Sequence, residues 1–184
     1  MGTIAVIVRN SGQSRTNGKD VFMKKVAVIM GSDSDLPLMQ GALDMLGKLN
    51  IPCEAHIYSA HRTPDAAADF ARNARAEGFG AIIAGAGKAA HLAGALAART
   101  TLPVIGVPIK SSTLDGLDAL LSTVQMPSGM PVATVAIDGA ANAALLAAQI
   151  LAVSDDTIAQ KLEELRARQT EAVLLKDRAL QEQK

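Results

Sequence analysis

Five short apolar runs, each followed by a stretch of helical periodicity, predict an α/β chain. The expected fold is a three-layer, flavodoxin-like sandwich on a five-stranded parallel sheet, with an extra C-terminal helix. Alternation at this spacing demands right-handed crossovers, which cover both faces of the sheet with helices. At 184 residues and 49% hydrophobic, the chain is long enough for one sizeable core.

Val26-Ala-Val-Ile-Met30 reads as a buried strand that stops at Gly31. Pro37 falls in the first turn of the next helix, whose apolar face is Leu36, Met39, Leu43 and Leu46. Ile51 to Tyr58 is the second strand. Thr63-Pro64-Asp65 opens a helix with a hydroxyl cap, a proline in the first position and an acid at the positive dipole end. Gly78 is placed to stop that helix. Gly80 to Ala84 is strand three, followed by a Gly/Ala-rich turn and a helix through about Arg99. Leu102 to Val107 is strand four, with a helix over Leu114 to Val124. Val132 to Ile137 is strand five, with an Ala/Leu-rich helix at 139–153. Ser154-Asp-Asp-Thr then caps a charged helix whose apolar stripe, Ile158, Leu162, Leu165 and Val173, needs a surface to cover. Subunit packing in a homo-oligomer is expected.

Three segments follow. Residues 1–22 combine a short apolar run, Ile4 to Val8, with a polar Gly/Asn-rich stretch, and Met23 precedes a far stronger strand. We read 1–22 as an upstream extension outside the core, the alternative being an extra edge strand. Residues 23–153 form the α/β domain, and 154–184 the appended helix.

Composition narrows the function. Lys+Arg (18) balance Asp+Glu (18), so no basic field gathers nucleic acid or anionic membrane. The aromatics are only Phe22, Phe70, Phe79 and Tyr58, too few for base-stacking platforms. A single cysteine, Cys53, precludes an internal disulfide framework and a cysteine-rich zinc module. Ala140 to Val153, the longest apolar stretch, is short for a membrane span, and the N-terminus lacks a secretory-type apolar run. A soluble cytoplasmic protein is expected.

In a parallel α/β sheet, ligands bind beyond the carboxyl ends of the strands. That rule gathers Gly31–Asp35, Ser59–Thr63 and Gly85–His91 on one rim. Ser32, Ser34 and the backbone of the first turn offer an anion site, and one acid can grip ribose hydroxyls. By itself, however, this turn is more simply read as helix capping. In the second turn, His61 can move protons near neutral pH and Arg62 offers a forked cation. Equally open from the residues alone is a capping histidine beside a solvated arginine. The third turn, Gly85-Ala-Gly-Lys-Ala-Ala-His91, lacks the context of a dinucleotide fingerprint or a P-loop. It is read as a close-approach turn, with Lys88 adding charge and His91 a second polar contact. His56, within a strand, and Cys53 are read as structural. Pro108–Ser112 and the proline-bracketed Gln125–Pro131 loop are candidates to complete the rim, the latter over a neighbouring site or as a rigid connector.

Taken together, Val28-Ile-Met-Gly-Ser-Asp-Ser-Asp35, Ser59-Ala-His-Arg-Thr-Pro64, Ile83-Ala-Gly-Ala-Gly87 with Ala89-Ala-His-Leu92, Gln125-Met-Pro127 and Asn142 to Leu151 resemble one family. It is the N5-carboxyaminoimidazole ribonucleotide mutase family, named also for the catalytic subunit of phosphoribosylaminoimidazole carboxylase. The resemblance covers about residues 24–175. It implies a homo-octamer that interconverts N5-carboxyaminoimidazole ribonucleotide and 4-carboxy-5-aminoimidazole ribonucleotide in purine biosynthesis, without metal, nucleotide or flavin. Carried over by motif, His61 is the general acid/base. Ser32, Asp35, Ser59 and Arg62 bind the ribonucleotide, with Arg62 on phosphate and Asp35 on ribose. Gly85, Ala86, Gly87, Lys88, Ala90, His91 and Leu92 surround the migrating carboxylate.

Departures from the family pattern are informative. Its loop typically reads Gly-Ala-Gly-Gly-Ala-Ala-His-Leu-Pro-Gly, whereas this chain has Lys88 at the fourth residue and Ala93 in place of proline. A lysine there either grips the carboxylate or blocks the site. Animal-type carboxylases differ at this loop, so the resemblance favours the mutase. The competing class is a non-catalytic module: a phosphoacceptor receiver would want an acid where the chain has Ala84-Gly85-Ala86, while an inactive paralogue would have Lys88 as its plug.

Overall fold

The computed structural model describes residues 15–16, 19–20, 23–112 and 114–182. Five parallel strands, β1 (Lys25–Met30), β2 (Cys53–Ile57), β3 (Phe79–Gly87), β4 (Val104–Ile109) and β5 (Ala133–Thr134), form one sheet. Their order is β2-β1-β3-β4-β5. Helices α1 (Leu36–Lys48), α2 (Pro64–Asn73), α3 (Leu92–Ala97), α4 (Leu117–Val124), α5 (Ala140–Ala152) and α6 (Asp156–Gln181) complete the chain. The expected flavodoxin-like order is therefore observed, and its topological switch lies between β1 and β3.

Alternate residues of β1 divide the core. Val26, Val28 and Met30 join the cluster built by α1, α5 and the start of α6, while Ala27 and Ile29 join that of α2 and α3. Small residues set how closely the layers approach. An alanine methyl at Gly106 of β4 would lie 2.4 Å from Thr123 Cγ2 of α4, so that helix rests directly on the strand backbone. Register levels the ligand rim: Met30 pairs with Ile57 on one side and Gly85 on the other, and Tyr58 N–H donates to the Met30 carbonyl at 2.9 Å.

Several local expectations are corrected. Gly85-Ala86-Gly87 is strand rather than turn, because it pairs with Val107, Pro108 and Ile109 of β4. The turn is confined to Lys88–His91. Thr63 precedes α2 but does not cap it: its hydroxyl accepts from Ser59 N–H at 2.8 Å and donates to the Ser59 carbonyl at 3.2 Å. Helix α2 ends at Asn73, and Gly78 reverses the chain beyond it with φ +88°. Leu114–Gly116 forms a 3₁₀ turn before α4, and strand five shortens to two residues at the sheet edge.

The C-terminal helix starts as expected, Asp155 accepting from the N–H groups of Thr157 and Ile158. Ile158, Leu162 and Leu165 pack on this chain's own core, and Lys161 Nζ donates to the Leu49 carbonyl. Val173 does not share that packing; it is 65% exposed, with Leu174, Leu175 and Leu180 beside it. Arg15–Thr16 and Lys19–Asp20 pair antiparallel with each other, in a sheet separate from the main one. The edge strand weighed at Ile4–Val8 lies outside the described residues. No described helix is long and apolar enough to cross a membrane.

Candidate active site

The carboxyl ends of β1, β2, β3 and β4 surround a cleft of about 710 Å³. Ser32, Asp35, Ser59, His61, Arg62, Ala86, Gly87, Lys88, His91 and Leu92 all line it. Gly85 and Ala90 do not. Gly85 abuts Met39, whose sulfur lies 2.4 Å from where a Cβ would stand, and Ala90 is buried beneath the turn. Both shape the wall without reaching its surface.

Ser59 organises the second turn. Its hydroxyl accepts from His61 N–H at 3.3 Å and Arg62 N–H at 3.1 Å, drawing the chain into a tight bend after β2. The imidazole of His61 is thereby held out on the rim, exposed, with Nε2 2.9 Å from His91 Nδ1. One ring donates and the other accepts, so the tautomers of the two histidines are coupled. The contact joins residues thirty positions apart; sequence reading took His91 as a separate polar contact.

Arg62 bridges two turns, Nη2 donating to the Gly31 carbonyl at 2.8 Å and Nε approaching Ser59 Oγ at 3.5 Å. Its planar fork is thus oriented while other N–H donors remain for an anion. Below it, the half-buried Asp35 has its pKa raised, chiefly by burial; backbone N–H groups of Ser32 and Gly31 and the Arg62 charge pull the other way. A carboxylate short of solvent is ready to accept hydroxyl donors. In the first turn, Ser34 Oγ donates to Ser32 Oγ at 3.0 Å and Ser32 Oγ to Asp33 Oδ1 at 3.0 Å.

The fourth side comes from Ile109, Lys110 and Ser111, within the expected Pro108–Ser112 segment. Two residues the sequence reading passed over fix it: Asp138 Oδ1 accepts from Lys110 N–H at 2.8 Å, and Asp115 Oδ1 lies 3.0 Å from Lys110 Nζ. An Asp beside Gly after strand five is the local signal for Asp138. The Gln125–Pro131 loop stays away from this cleft. Met126 packs against Gly94, and Gly129–Pro131 line a separate cleft of about 920 Å³ with Arg72, Arg75 and Arg99. That larger hollow lies at the amino end of β4, away from the carboxyl ends beyond which ligands of a parallel sheet bind.

The residues read as structural are packed. His56 stacks on Tyr58, with centroids 5.2 Å apart, and Cys53 is buried. Among the described residues, no group of three or more His, Cys, Asp or Glu could hold a metal ion.

Comparison with known proteins identifies the family. The AIR carboxylase family matches residues 25–172. An N5-carboxyaminoimidazole ribonucleotide mutase of Thermotoga maritima is 54% identical over 160 residues, covering 87% of this chain and 94% of the relative. The Bacillus subtilis enzyme of the same name is 56% identical over 151 residues, covering 81% and 93%. The crystal structure of Treponema denticola PurE superposes with a TM-score of 0.78 at 28% identity, over 84% of this chain and 97% of that one. With the cleft inside the matched span and the relatives aligned over most of their length, the chain belongs to the AIR carboxylase family.

Proposed function

We propose that this chain is an isomerase of purine biosynthesis that converts N5-carboxyaminoimidazole ribonucleotide to 4-carboxy-5-aminoimidazole ribonucleotide. One observation carries the mechanism: an exposed imidazole, coupled to a second, shares a cleft with an oriented guanidinium and a desolvated carboxylate. Arg62 takes the phosphate, and Asp35 with Ser32 takes the ribose. The end of β3 at Ala86 and Gly87, the turn at Lys88 and His91, and Leu92 face the migrating carboxylate.

The reaction needs two proton steps and confinement. Breaking the N5–carboxyl bond releases carbon dioxide, and the bonding pair left on nitrogen takes a proton from His61. The C4 carbon then attacks the carbon dioxide, forming the new carbon–carbon bond and a carboxylate. His61, now neutral, removes the C4 proton and returns to its starting state. The contact with His91 holds the His61 ring in one orientation through both steps. Because both fragments stay in one cleft, recombination is effectively intramolecular.

The assembly and setting follow from the same reading: a cytoplasmic enzyme requiring no cofactor, and a homo-octamer in which the exposed end of the 154–184 helix, around Val173 to Leu180, packs on other subunits. Residues 23–153 would form the catalytic domain and 1–22 lie outside it. His61→Asn tests the central assignment. Turnover should fall by about 10²–10⁴-fold while nucleotide binding is largely retained; undiminished turnover refutes it.

A further inference from the structure

Lys88 occupies a backbone conformation that favours glycine, with φ +55°. The turn holds it there: Gly87 pairs with Ile109, and His91 N–H donates to the Ala89 carbonyl at 2.8 Å. The lysine is exposed on the wall of the cleft that contains His61, Arg62 and His91. Of the neighbouring cations, Lys110 is paired with Asp115, and Arg62, oriented by the Gly31 carbonyl, is assigned to the phosphate. Among the described residues, no hydrogen bond or ion pair involves the Lys88 ammonium. A left-handed lysine therefore brings an uncommitted positive charge to the turn that faces the carboxylate.

We propose that Lys88 holds the migrating carboxylate by its charge and so limits the escape of carbon dioxide; this rests on the mutase reading above. Both nucleotides carry a carboxylate, whereas the fragment between them is neutral. A fixed cation stabilises the charged states at either end relative to the neutral fragment. It slows departure and favours recapture: as C4 attacks, electrons move onto the carboxylate oxygens beside the ammonium, and the ring proton goes to His61. Without that charge the neutral fragment persists longer and diffuses away, leaving 5-aminoimidazole ribonucleotide.

The test uses the full chain with Lys88→Gln, Lys88→Arg and Lys88→Gly. By calorimetry, Lys88→Gln should bind 4-carboxy-5-aminoimidazole ribonucleotide about tenfold more weakly, with affinity for 5-aminoimidazole ribonucleotide nearly unchanged. Arginine should restore the difference. During turnover, the ratio of released 5-aminoimidazole ribonucleotide to carboxylated product should rise several-fold in the glutamine variant. Equal weakening of both ligands, or of neither, overturns the proposal. So does faster turnover of the glycine variant without added leakage, which would make Lys88 a plug. If the unmutated chain interconverts nothing yet keeps the carboxylate-selective loss in Lys88→Gln, the contact stands and the mutase reading falls.

Discussion

Gly106 lies in the middle of β4 where α4 rests on the sheet, and its replacement by alanine tests the closeness of that contact. The added methyl would stand 2.4 Å from Thr123 Cγ2, 3.1 Å from Val132 Cγ1 and 3.4 Å from Ala93 Cβ. Thr123 cannot easily yield: it is 2% exposed, its branched Cβ restricts rotation, and its hydroxyl donates to the Ala119 carbonyl at 2.8 Å. Overpacking of this kind costs about 1–3 kcal/mol, offset by about 0.4–1 kcal/mol from the less flexible unfolded chain. The net loss should be about 1–2 kcal/mol, or roughly 2–8 °C in melting temperature for a chain of this size. Thr123→Ser removes the opposing methyl, keeps the hydroxyl, and should cost about 1 kcal/mol alone. Combined, the alanine methyl occupies the vacated space, so the double variant should lose less than about 1 kcal/mol rather than the additive 2–3. Urea denaturation of the four proteins measures the coupling. Additive losses would refute the claim that these two groups compete for one space.

Two other variants probe the site and the surface. Asp35→Asn should stabilise the free protein at neutral pH, because the folded state raises this carboxyl's pKa and thus disfavours its charged form. The gain is full above the raised folded value, fades as pH falls through it, and vanishes below the unfolded value near 3.8; melting curves across pH with no such trend would contradict the assigned burial. Nucleotide affinity should fall in the same variant. Replacing Leu174 and Leu175, 54% and 52% exposed on α6, by glutamate should shrink the assembly in light scattering while leaving helical content unchanged. An unaltered mass would remove this stripe from the subunit contact.

Much of the molecule was legible because its signals are local. Apolar runs such as Val26–Met30 and the proline at the start of α2 need only neighbouring residues to declare strand and helix. Strand–helix alternation then brings the loop tips to one end of a parallel sheet, which located His61, Arg62 and the glycine-rich segment before any contact was known. Had the His61 imidazole turned inward with no cleft before it, that reading would have collapsed; it is exposed at a cleft of about 710 Å³.

What only the tertiary structure decided are the choices between partners distant in the chain. Gly85–Gly87 looks like a turn until β4 pairs beside it, because the ladder satisfies backbone groups that a loop would leave to water. The Thr63 hydroxyl is a reasonable helix cap by position, but Ser59 offers both an N–H and a carbonyl and takes it instead. The His61–His91 contact couples the two imidazoles, and the tie between Lys110 and Asp115 withdraws that cation from a ligand. Sequence specifies which groups can bond, whereas geometry selects among competing partners, since each donor or acceptor spent on one neighbour is withdrawn from the rest.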